Sequence, residues 1–137
     1  MTAVVDAGPL IAAADQADPA HTVARHFFAA VREPLVVPPS VIGEVCYLLA
    51  IRSGPAVESA FLRALAASSL IMESLTTADF LRAAGLIETY ADFPLGFVDA
   101  SVIAVAERMN IQRVITFDQR HFRAVRPRHV QAFTLLP

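Results

Sequence analysis

The chain has 137 residues, 55% of them hydrophobic, and its 11 cationic and 13 acidic residues give a formal net charge of −2. That length suits one domain over residues 1–137 with a single well-buried core, and the charge argues against a broadly basic nucleic-acid-binding surface. The mean hydropathy of +0.53 is high, yet no apolar run approaches the roughly 18–20 residues of a membrane span, so the excess is expected in the core or in interfaces.

In chain order, strand-like runs are predicted at Thr2–Val5, Leu35–Val37, Leu70–Glu73, Arg113–Phe117 and Gln131–Leu136. Helical patterns lie between them. Pro9–Asp15 opens with proline at a helix start, and Pro19–Val31 follows Asp18 as N-cap. Ser40–Arg52 and Pro55–Ala67 are split by Ser53-Gly54-Pro55; Thr76 or Thr77 caps a helix through Tyr90, and Val98–Met109 is the last long helix. Alternation of this kind predicts an α/β fold with a mostly parallel five-stranded sheet flanked by helices. Met1–Asp6 has no basic region before its apolar segment, so no signal peptide is expected and the expected location is cytoplasmic. The single cysteine, Cys46, cannot form an internal disulfide and reads as a structural thiol.

Four acids fall where one element hands over to the next. Asp6 ends the run Ala3-Val4-Val5, and Asp118 follows Val114-Ile115-Thr116-Phe117, which places both at the carboxyl ends of buried strands. Glu44 shares a helical stripe with Val41, Leu48 and Ile51, while Asp99 leads a stripe of Val102, Ile103 and Ala106. Two carboxylates about 5 Å apart repel by roughly 3 kcal/mol at an effective dielectric near 20, and four acids multiply such pairs. The chain has no Lys to neutralise them. A set of oxygen ligands suits a hard divalent cation, Mg²⁺ or Mn²⁺ rather than Zn²⁺, and such an ion at such a site points to phosphodiester hydrolysis. Thr116 alternates with Asp118 along the predicted strand and would support the site from behind its ligands.

These residues carry a resemblance. Val5-Asp6-Ala7-Gly8-Pro9-Leu10-Ile11-Ala12, Ser40-Val41-Ile42-Gly43-Glu44-Val45, Gly96-Phe97-Val98-Asp99-Ala100-Ser101 and Ile115-Thr116-Phe117-Asp118-Gln119-Arg120-His121-Phe122 resemble the four signature blocks of PIN-domain nucleases. More narrowly they resemble the VapC-like toxins of bacterial type II toxin–antitoxin pairs. The resemblance implies a three-layer PIN-like fold and a Mg²⁺- or Mn²⁺-dependent endoribonuclease that cuts single-stranded or looped RNA, commonly tRNA or rRNA. It implies that Asp6, Glu44, Asp99 and Asp118 bind metal, that Thr116 is the supporting hydroxyl, and that the chain forms a homodimer. A cognate antitoxin would lie along a groove formed by the early helices. One departure stands out: many members carry Thr-Ser after the first Asp, where this chain has Ala7-Gly8.

Other residues read more plainly. All cationic residues are Arg, and Arg113, Arg120, Arg123, Arg126 and Arg128 crowd the last quarter of the chain. Of these, Arg120, Arg123 and Arg126 are the candidate RNA-backbone contacts, against the alternative of a solvated face with salt bridges. Asp92 reads as a loop acid, His121 and His129 as surface or packing residues, and Phe27, Phe28, Phe61, Phe80 and Phe122 as core. A phosphoacceptor receiver domain would need a Lys, and a dehalogenase-type phosphatase would need an Asp where Gly8 stands. A dinucleotide-binding fold would need G-x-G-x-x-G after the first strand. The remaining alternative is a PIN-like binding module without catalysis.

Overall fold

The computed structural model describes residues 1–137. Its strands are β1 (Ala3–Val5), β2 (Leu35–Val37), β3 (Ile71–Met72), β4 (Arg113–Ile115) and β5 (Thr134–Leu136). Its helices are α1 (Ala7–Ala14), α2 (His21–Ala30), α3 (Pro39–Ser53), α4 (Pro55–Ala67), α5 (Thr77–Thr89), α6 (Phe97–Arg108) and α7 (Gln119–Ala124). The strands form one sheet in the order β3-β2-β1-β4-β5, and every neighbouring pair is parallel.

Burial shows why the central strands are apolar without alternation. Val4 and Val5 point to opposite faces of β1, yet both are fully buried, as are Val114 and Ile115 of β4. Helices must therefore cover both faces, which makes three layers. Each fully buried Val or Ile here stabilises the fold by about 1.5–3 kcal/mol. No helix is long and apolar enough to cross a membrane.

Chain order puts a switch point at the centre of the sheet. From β1 the chain turns to β2 on one side, and β4 returns on the other. A crevice opens outside the carboxyl ends at such a reversal. The register fixes which residues meet there: Val5 sits beside Ile115, and the Asp6 amide donates to the Ile115 carbonyl at 2.9 Å.

Several local features differ from the sequence reading. α1 begins at Ala7 rather than Pro9, because proline is tolerated anywhere in a first turn whose amides lack helical partners. α2 begins at His21 because Asp18 turns the chain, its Oδ1 accepting from the Ala20 amide at 2.8 Å. β4 stops at Ile115, two residues early, and the short α7 was not expected at all. α3 buries Val41, Val45 and Leu49, a stripe one residue round from the one expected, so Ile51 is 63% exposed. Among the expected core aromatics, Phe61 and Phe122 are buried and Phe27 and Phe28 half-buried, but Phe80 is 53% exposed, stacked on Phe97 at 6.1 Å. Between α3 and α4, Gly54 has φ +87°, a conformation glycine adopts without the cost other residues incur.

On α5 and α6, Asp79 and Glu107 are paired with Arg. Thr76 and Asp79 form a reciprocal capping box, and Asp79 also accepts from Arg108 Nε at 3.0 Å. Glu107 takes both arms of Arg82, at 2.7 and 3.0 Å, and a third bond from the Arg128 amide at 2.8 Å.

Candidate active site

Asp6 immediately follows β1, has the backbone conformation of an N-cap for α1, and is 5% exposed. Its Oδ2 accepts a hydrogen bond from Thr116 Oγ1 at 2.8 Å, and the same hydroxyl accepts from the Asp118 amide at 2.9 Å. Thr116 is fully buried, so both capacities of its hydroxyl go to holding two acids in register. The chain leaves strand geometry here because that hydroxyl captures the Asp118 amide. Asp118 then sits at the N-cap of α7 and is exposed.

Asp99 lies in the first turn of α6 and is half-buried, with Ala100 to Ala106 buried behind it. Glu44, also half-buried, lies one turn into α3. A hydrogen bond between Ser40 and Ser101, 2.6 Å long, ties the starts of these two helices together. Ser101 gives its proton to the Val98 carbonyl at 2.7 Å, so Ser40 is the donor of the pair. The latch joins the turns that carry Glu44 and Asp99.

Electrostatics link the acids. Burial raises the Asp6 carboxyl above its ordinary value, against the opposing Ala7 and Thr116 hydrogen bonds, and the charge of Asp118 raises it further. Burial also raises Glu44, and the charge of Asp6 adds to the effect. Asp99 is pushed up to about 6, first by burial, then by the charge of Asp6. Asp6 is thus the hub: each of the other three acids feels it or is felt by it. None of the four forms a salt bridge with Arg.

His121, read from sequence as a surface or packing residue, lies among these acids. Its Nδ1 hydrogen-bonds with Asp118 Oδ2 and lies 3.7 Å from Asp99 Oδ2. One donor atom from each of Asp99, Asp118 and His121 falls within a 4.8 Å cluster. The signal that could have found it was the spacing: on a helix starting after Asp118, the residue three positions on shares its face. The sequence reading missed α7, and with it that face. Ser40 and Ser101 were missed too, although Ser101 stood as an unexplained polar residue in the otherwise apolar run from Ala100 to Ala106.

Other expected residues divide. Arg120, Arg123 and Arg126 are exposed. Arg120 lies over the Phe93 ring at 5.5 Å, and Arg123 donates to Gln119 Oε1 at 2.8 Å. Arg113 leaves the cluster, since it pairs with Glu33 at 2.8 Å. Asp92 is exposed in the loop after α5, His129 bonds the Ile111 carbonyl at 2.7 Å, and Cys46 is half-buried. A Cβ added at Gly8 would meet Phe117 Cβ at 3.7 Å, an ordinary contact, so space alone does not dictate the glycine.

The chain belongs to the PIN domain family, whose model matches residues 3–126. Across 134 residues it is 34% identical to Ribonuclease VapC26 of Mycobacterium tuberculosis, an alignment covering 98% of this chain and 99% of that one. Its fold is similar to that of M. tuberculosis VapC20, described as a sarcin-ricin loop cleaving toxin, with a TM-score of 0.83 at 23% identity, over 94% of this chain and 98% of the other. It is also similar to Rickettsia felis VapBC2 bound to a promoter DNA fragment, with a TM-score of 0.72 at 11% identity and full coverage of both chains.

Proposed function

We propose that this chain is a metal-dependent endoribonuclease, one nuclease domain over residues 1–137, and the toxin of a toxin–antitoxin pair. Asp6, Glu44, Asp99 and Asp118 are its metal-holding acids, and Thr116 positions two of them. The observation that carries the reading is four carboxyl groups gathered at the switch point without an Arg partner, three of them raised by burial and by one another's charge. Family membership and the ribonuclease relative support the reaction class.

The donor set fits Mg²⁺ or Mn²⁺, because carboxylate oxygens converge where no Arg pairs with them and His121 offsets their repulsion only in part. When bound, such an ion lowers the pKa of water and neutralises charge on a scissile phosphate. The chain's own residues do the rest. Thr116 locks Asp6 against rotation and keeps the Asp118 backbone beside it. The Ser40–Ser101 latch holds the helices bearing Glu44 and Asp99. Arg120, Arg123 and Arg126 are exposed on α7 and just beyond it, placed to contact RNA phosphates. In-line attack by water with departure of the 3′-oxygen would leave 5′-phosphate and 3′-hydroxyl ends.

The antitoxin is proposed to occupy a groove of about 700 Å³ lined by Leu10, Phe28, Val57, Phe61 and Leu65, from α1, α2 and α4. Exposed apolar residues on α3 and α5, Tyr47, Ile51, Phe80 and Leu81, support a homodimer. The proposed substrate is single-stranded or looped RNA, tRNA or rRNA.

Purified chain freed of antitoxin should cut total cellular RNA into discrete fragments with Mg²⁺ or Mn²⁺. EDTA, or the double variant Asp6→Asn with Asp99→Asn, should abolish the fragments. Failure of the folded, metal-supplemented protein to cut would favour a binding module.

A further inference from the structure

His121 is the only imidazole beside the acids, and the fold goes to some length to aim it there. α7 starts directly after Asp118, so Asp118 and His121 are three residues apart at the start of one helix and share a face. Phe93 meets the imidazole edge-on, centroids 5.1 Å apart, and Arg120 covers the Phe93 ring. The His121 side chain is 19% exposed and its Nδ1 faces both Asp99 and Asp118. A surface histidine needs none of these constraints.

Building on the acidic-site reading above, we propose that His121 Nδ1 is a ligand of the same ion as Asp99 and Asp118, giving a centre of mixed nitrogen and oxygen donors. The consequence is selectivity. A site of carboxylates alone suits Mg²⁺, which accepts nitrogen reluctantly, whereas one imidazole favours first-row transition ions such as Mn²⁺. Ligation requires Nδ1 to give up its proton and its hydrogen bond to Asp118, so both groups turn from each other to the ion. Phe93 then restrains the ring as it would in the metal-free chain. His121 would thus set which metal the nuclease takes.

The test is pulsed electron paramagnetic resonance of Mn²⁺ on the purified full chain, which detects the nitrogen of a directly bound imidazole. The native protein should show ¹⁴N coupling that converts to ¹⁵N coupling when histidine is ¹⁵N-labelled, a readout that needs no variant. The coupling should vanish in His121→Ala and persist in His129→Ala. Titrations should show Mn²⁺ affinity falling roughly tenfold in His121→Ala, with Mg²⁺ affinity within about twofold of native. Mn²⁺ bound through Asp6 and Asp99 but without nitrogen coupling would overturn the proposal and leave the acidic site intact. Mn²⁺ binding that survives Asp6→Asn with Asp99→Asn, or no binding at all, would overturn the acidic-site reading and the proposal together.

Discussion

Two groups of acids in this molecule have opposite electrostatic states. On α5, α6 and the segment before them, Asp79 and Glu107 are held below their ordinary values despite burial, because Arg108 and Arg82 donate to them directly. At the carboxyl edge of the sheet, Asp6, Glu44 and Asp99 are raised, because burial comes without an Arg partner and, with the acids' mutual repulsion, outweighs what His121 offers Asp6 and Asp99. The chain has Arg to spare, yet none pairs with the second group. Paired acids stabilise a fold, whereas unpaired ones leave binding capacity for something brought from outside.

The comparison breaks most visibly in the paired region. Replacing Asp79 by Ala removes the capping box and one of the two carboxylate partners of Arg108, Glu73 remaining at 3.1 Å, which should cost about 2 kcal/mol and lower Tm by roughly 6 °C. An unchanged melting curve would mean that the pairing adds nothing. In the unpaired region the sign should reverse. Asp99→Asn removes a repelling charge while keeping the shape, so the metal-free chain should gain about 1 kcal/mol, measured by urea unfolding at neutral pH. Loss of stability comparable to that of Asp79→Ala would show that Asp99 is structural.

The smallest expected effect is on pH dependence. Asp99 binds its proton more tightly in the fold, near 6, than the unfolded chain does near 3.8, so its contribution is complete below about pH 4 and is lost as pH rises through 6. Asp79 and Glu107 behave oppositely, their contributions fading only as pH falls below the ordinary 3.8 and 4.5. Between pH 7 and 5 the metal-free protein should therefore become more stable, by somewhat under about 1 kcal/mol once screening of the half-buried group is allowed for. Saturating Mn²⁺ should reverse the trend, since protons compete with the ion. A metal-free stability that falls steadily from pH 7 to 5 would contradict the raised value.

The sequence made the sheet legible because its strands are continuous apolar runs ended by Asp6 or by turn residues, and β2 was located to the residue. A mostly parallel sheet followed from helices between strands, and every pair in the fold is parallel. What could not be read was set by distant partners. β4 ends early because Thr116, 110 residues from Asp6 in sequence, turns its hydroxyl to Asp6 and the Asp118 amide. α7 has six residues, too few to show a helical period. Phe80 looked like core because its spacing was helical, but Asp79 and Ala83 take the buried side of α5. At the candidate site, all four acids and Thr116 were visible from their handover positions and the family blocks. His121 was not, because its significance depends on a helix only the folded chain reveals.

The placement of β1 has a consequence for when the candidate site can be complete. The first strand synthesised lies at the middle of the sheet and must wait for β4, more than a hundred residues later, before its second edge is closed. Until then Asp6 lacks both Thr116 and Asp118. Synthesis proceeds at about 5–20 residues per second, so several seconds separate the first acid from the last. An incomplete chain released early carries no assembled centre, and the arrangement of strands itself delays the activity proposed here until translation is nearly finished.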